Sequence, residues 1–93
     1  DLKLGILEDY VGHGIGTQMH MPPSVPNYGK AGTGLEIKVG MALAIEPMIV
    51  LGSNKVHVLQ DDWTVVSSEG SFASHWENTI AITENGPEIL TKL

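Results

Sequence analysis

The chain has no cysteine and no arginine, and its only cations are five lysines, set against eleven aspartates and glutamates. Without cysteine there is no disulfide framework, no thiolate zinc site and no thiol nucleophile, which fits a reducing compartment. With a formal net charge of −6 and no clustering of its lysines, the sequence lacks the basic stripe that nucleic-acid binding requires. Aromatic residues make up only 5%. No apolar run approaches the ~20 residues of a membrane span, and the opening Asp1-Leu2-Lys3 is unlike a signal peptide. That opening also lacks an initiating Met, which leads us to expect a processed product, an excised piece or an incomplete sequence. Sustained helical spacing of apolar residues is missing as well. What is present is 42% hydrophobic residues in 93, ordinary for a globular chain the size of one small domain or half of a larger one.

Eleven glycines and five prolines punctuate short runs of β character. We expect strands at Leu2–Leu7, at Met41–Leu51 and at Val56–Leu59. Others follow at Trp63–Val66, at Phe72–Thr83 and, after an Asn85-Gly86 turn, at Glu88–Thr91. Met41–Leu51 is nearly continuously apolar, as in a strand buried on both faces. Gly52-Ser53-Asn54-Lys55 reads as the turn of a hairpin joining it to Val56–Leu59. Met19–Met21 reads as a brief extended piece stopped by Pro22-Pro23, and Ser24–Val39 as a surface loop. The segment is therefore expected to be antiparallel β with little or no helix.

Three polar residues interrupt this pattern. Glu46 lies inside the apolar run Met41–Leu51, where a carboxylate is costly unless paired or bound to a cation. Pro47 holds Glu46 extended and removes a backbone donor. Glu77 lies similarly within Phe72–Ile82, and two carboxylates on adjacent strands repel unless a cation stands between them. His13 is flanked by Gly12, Gly14 and Gly16, which let a ligand approach the backbone closely. His20 follows seven residues on and can converge with His13 only through the intervening glycine turn. Structural readings stand beside these: a hydrogen-bonded histidine, a Glu–Lys pair, or Trp63 as an edge anchor. A phosphate loop and a Gly-x-Ser-x-Gly hydrolase elbow are both missing their diagnostic residues.

Taken in order, Tyr10-Val-Gly-His-Gly-Ile-Gly16 with His20, Val39-Gly-Met41 leading to Ile45-Glu-Pro-Met48, Asp62-Trp-Thr-Val65, Trp76-Glu-Asn-Thr79 and Thr83–Thr91 resemble the type I methionine aminopeptidases. The resemblance spans nearly the whole chain. It implies the α+β pita-bread fold (creatinase/aminopeptidase-like) for the parent protein. Residues 1–93 would be the C-terminal half of a single metallopeptidase catalytic domain, with the N-terminal half absent. It also implies two divalent ions (Co, Mn, Fe or Zn) held in part by His13, Glu46 and Glu77, the remaining aspartates and a further histidine coming from the other half. A water or hydroxide bridging the ions would attack the carbonyl after an N-terminal methionine. Glu46 would also shuttle the proton, and His20 would stabilise the tetrahedral intermediate. Met19 and Trp63, with His20, would contact substrate. His75 stands where many members have Gln, and Asn78 where His is common. As neighbours of Glu77, they could alter the shell that orients it.

The implied partners are nascent-chain N-termini, met at the ribosome by a cytoplasmic, monomeric parent with no direct contact to nucleic acid or membrane. An Xaa-Pro aminopeptidase or dipeptidase of the same fold is the alternative. Such enzymes carry a His where this chain has Asp9, Gly where it has Met48, and an Arg soon afterwards. A non-catalytic binding module of the same fold is a third reading. The 93 residues by themselves are expected to be inactive and poorly folded.

Overall fold

A computed structural model describes residues 3–93; the first residue of the strand expected from Leu2 lies outside the described residues. The order is β1 (Leu4–Ile6), β2 (Gly12–Ile15), β3 (Met21–Val25), β4 (Ala42–Ile45), β5 (Met48–Leu51), β6 (Val56–Val58), β7 (Val65–Ser67), β8 (Ala73–His75), β9 (Asn78–Thr83) and β10 (Gly86–Ile89). No helix occurs among the described residues, and none is long and apolar enough to cross a membrane. Every strand pair is antiparallel. The strands form a five-stranded sheet, β10-β9-β4-β2-β3, a three-stranded sheet, β1-β5-β8, and the separate β6-β7 ribbon.

The two long strands expected from the sequence are each broken in two. Met41–Leu51 splits at Glu46-Pro47 into β4 and β5, which belong to different sheets. Pro47 has no N–H for a ladder bond, and it restricts the backbone of Glu46, so the run cannot pair continuously with one set of neighbours. Phe72–Thr83 splits at Trp76-Glu77 into β8 and β9 in the same way. The two breaks face each other. Ile45 pairs with Asn78 on one side and Met48 with His75 on the other. The register is thus unchanged across the gap, which sets Glu46 opposite Glu77. The Trp76 N–H donates to the Pro47 carbonyl at 3.1 Å and spans it.

Other expectations need correction. Gly52–Lys55 does not close a hairpin between β5 and β6. Both edges of β5 are already taken, by β1 and β8, so β6 pairs with β7 instead. Pro22-Pro23 does not stop a strand but lies inside β3, tolerated because β3 is an edge strand with one side free of ladder bonds. The loop therefore starts only after Val25. Trp63 belongs to the β6–β7 turn, and β7 starts at Val65. The last strand begins at Gly86, whose φ of 103° supplies the left-handed turn residue, and it ends at Ile89.

The buried core consists of Leu7, Leu43, Ala44 and Val50. Three of these four lie on β4 and β5, beside the break at Glu46, so the best-packed part of the chain is also what positions the polar residues.

Candidate metal centre

β2 carries His13 between two buried glycines. A Cβ on Gly12 would collide with the Ala44 carbonyl of β4, and one on Gly14 with the Pro22 carbonyl of β3. Neighbouring strands therefore close on β2 from both sides. The pairing of β2 with β3 shifts register between His13 and Gly14, an irregularity of the kind that re-aims a side chain. His13 pairs with Ala44, two residues before Glu46, so the imidazole and the carboxylate share a face.

His13 Nδ1 donates to the Gly14 carbonyl at 3.0 Å, because a carbonyl can only accept. That leaves Nε2 pointing at Glu46 Oε2, 3.2 Å away. The two side chains are only 15% and 14% exposed. Nε2 must then carry a second proton and pair with the carboxylate, or stay bare and face it across a cation. Anchoring of the far nitrogen by a carbonyl is the usual arrangement for metal-bound histidine. One ligand atom each from His13, Glu46 and Glu77 lie within 4.8 Å of one another. Directly opposed carboxylates repel, and a divalent ion relieves this. One imidazole and two carboxylates suit Zn, Fe, Co or Mn.

The His20 ring lies 4.3 Å from that of His13, tilted by 47° and exposed. His75 Nε2 is 3.8 Å from both Glu46 Oε1 and Glu77 Oε2. Trp63 is 85% exposed, so it anchors no edge; with Tyr10, Met48 and His75 it lines a cavity of about 480 Å³. Met19 is exposed beside His20 and does not reach that cavity. Asn78 is engaged elsewhere, its side-chain oxygen accepting from the Thr91 hydroxyl at 2.7 Å. The expected Glu–Lys alternative does not occur: the ion-pair partners of Glu46 among the described residues are the two histidines.

The sequence reading missed Asn27. Its amide donates to the Tyr10 carbonyl at 3.3 Å and the Glu46 carbonyl at 3.5 Å, tying the loop to both site-bearing segments. A loop asparagine after Pro26 signals a turn and nothing more, so the contact had no signature. Near Trp63, the Asp61 carboxylate accepts from the Thr64 hydroxyl and from the N–H groups of Thr64 and Trp63. These bonds, the hydroxyl's foremost, hold its pKa below the ordinary 3.8.

An imidazole and two carboxylates gathered beside facing breaks of antiparallel strands form a donor set that suits a divalent metal ion. A profile of metallopeptidase family M24 matches residues 3–84, and the chain belongs to that family. It is 58% identical over 87 residues to a methionine aminopeptidase of Clostridium acetobutylicum, covering 94% of this chain and 35% of that protein. It is 55% identical over 89 residues to methionine aminopeptidase 1 of Mycobacterium tuberculosis, covering 96% and 34% respectively. The crystal structure of methionine aminopeptidase from Thermotoga maritima superposes with a TM-score of 0.90 at 52% identity, over 97% of this chain and 36% of that one. The architecture is accordingly that of the pita-bread fold, here represented by its antiparallel sheets. The chain spans about a third of the length of the curated relatives it matches.

Proposed function

We propose that the protein carrying this segment is a methionyl aminopeptidase, removing the N-terminal methionine from nascent proteins and peptides. The observation that carries this reading is the convergence of His13, Glu46 and Glu77 at the facing strand breaks. Residues 1–93 form the C-terminal half of the catalytic domain, and the other half supplies the remaining ligands. Matching about a third of each relative's length, the segment leaves room for further ligand-bearing sequence in the protein that carries it. Two divalent ions held there would supply Lewis-acid activation of water and of the scissile carbonyl.

The chain's own residues do the rest. His13 presents Nε2 because Nδ1 is fixed to a carbonyl. Glu46 and Glu77 supply negative charge from opposing strands, and a Glu46 oxygen accepts the proton released from the attacking water. His20, its ring tilted against that of His13, donates a hydrogen bond to the scissile group as charge develops. Trp63, on the wall of the cavity, grips the methionine side chain, and Met19, exposed beside His20, meets the substrate outside that cavity. The setting is the cytoplasm, where nascent N-termini emerge from the ribosome.

Hydrolysis of Met-Gly-Met by the protein at its natural length, with and without chelator, tests this against a tripeptide with proline second. Metal-dependent release of methionine from the first peptide supports the reading. Cleavage confined to the proline peptide would make it an Xaa-Pro enzyme. Bound metal with neither cleavage would make it a binding module.

A further inference from the structure

His75 is a second imidazole beside Glu46. Glu46 divides its two oxygens between the rings: Oε2 is 3.2 Å from His13 Nε2 and Oε1 is 3.8 Å from His75 Nε2. The same His75 nitrogen is 3.8 Å from Glu77 Oε2. Neither 3.8 Å separation is a hydrogen bond. Both are the spacing of two donors on one ion, since ligands at ~2.0–2.2 Å from a shared metal stand about 3–4 Å apart. The backbone explains the placement. His75 closes β8 and pairs with Met48, and alternation along the strand puts it on the face that carries Glu77 and, across the break, Glu46. The ring is 45% exposed and borders the cavity lined by Trp63, Tyr10 and Met48, so this second position opens toward a ligand.

We propose that His75 is itself a cation ligand, forming with Glu46 Oε1 and Glu77 Oε2 a position beside the one served by His13. The assignment rests on the metal-centre reading above. It has a chemical consequence: a second imidazole biases the pair of positions toward zinc and cobalt and away from manganese, which favours oxygen donors.

The test is the imidazole count around zinc, read by X-ray absorption on the zinc-loaded protein at its natural length. His75→Gln is compared with wild type, and His57→Gln, altering a ring that pairs with Ser68 on the β6–β7 ribbon, serves as control. His75→Gln is expected to remove one imidazole and to weaken zinc at least ~10-fold in competition titration, with a smaller loss for manganese. His57→Gln is expected to change neither. A cadmium-substituted wild type with isotopically labelled histidine needs no variant: scalar coupling between the metal and the His75 ring nitrogen is the expected result. Zinc bound through His13, with no coupling to His75 and an unchanged count in His75→Gln, would overturn this assignment alone. Failure of wild type to bind any metal, or binding without His13, would overturn the metal-centre reading and this assignment together.

Discussion

His13 owes its position to what its neighbours lack. Gly12 and Gly14 have no Cβ, and β4 and β3 close into the space left. Gly12→Ala should therefore force β2 and β4 apart, at a cost of about 1–3 kcal/mol as for other overpacked sites. Because the same pairing carries His13 toward Glu46, metal affinity should fall with the melting temperature. A variant that melts like wild type and binds metal equally well would show that β2 accommodates the methyl group. At this scale the sequence was informative: a histidine among glycines and two glutamates in apolar runs break local rules, and such breaks cluster at functional sites. Asn27 and the side-chain oxygen of Asn78 were not legible. Their partners, the carbonyls of Tyr10 and Glu46 and the hydroxyl of Thr91, lie 17, 19 and 13 residues away, and no local pattern encodes such contacts.

At the level of elements, composition disclosed the strands but not where they change sheets. Met41–Leu51 reads as one run because apolar residues continue on both sides of Glu46-Pro47. Only the proline hints that the ladder is interrupted. The failed β5–β6 hairpin has a related cause: Gly52–Lys55 has turn residues, but competition from β1 and β8 for the edges of β5 is a tertiary effect. The β6–β7 turn makes its own prediction. Asp61 is bonded as a carboxylate, so its pKa is depressed in the folded state. A depressed carboxylate pKa means stability that is fully present above the ordinary value of 3.8 and lost as pH falls through the folded value. The turn that holds Trp63 should consequently stay ordered at neutral pH and loosen only in acid below 3.8. Fluorescence of the protein at its natural length, with Trp63 kept and every other tryptophan changed to Phe, would check this. A transition of the Trp63 environment near pH 6–7 would count against it, and Asp61→Ala should abolish the acid transition.

The whole molecule is open. Its radius of gyration is 15.0 Å, against about 12 Å for a compact domain of this length. Its accessible surface is 7372 Å², against about 5,200 Å² for a compact 10 kDa protein. Phe72, Trp63 and Trp76 are 85%, 85% and 70% exposed, and among the described residues four hydrophobic side chains are buried. Such a surface favours association. The 93 residues expressed alone should therefore elute as oligomer or aggregate and show a broad, weakly cooperative thermal transition. A monodisperse 10.0 kDa monomer with a sharp melt would contradict that.

The central claim, that the strand breaks at Glu46 and Glu77 form a metal centre with His13, is tested most directly by anomalous diffraction from zinc-soaked crystals of the protein at its natural length. A peak is expected within ~2.0–2.2 Å of His13 Nε2 and of carboxylate oxygens from both Glu46 and Glu77. A fully loaded crystal with its metal elsewhere, and His13 Nε2 paired directly to Glu46, would contradict it.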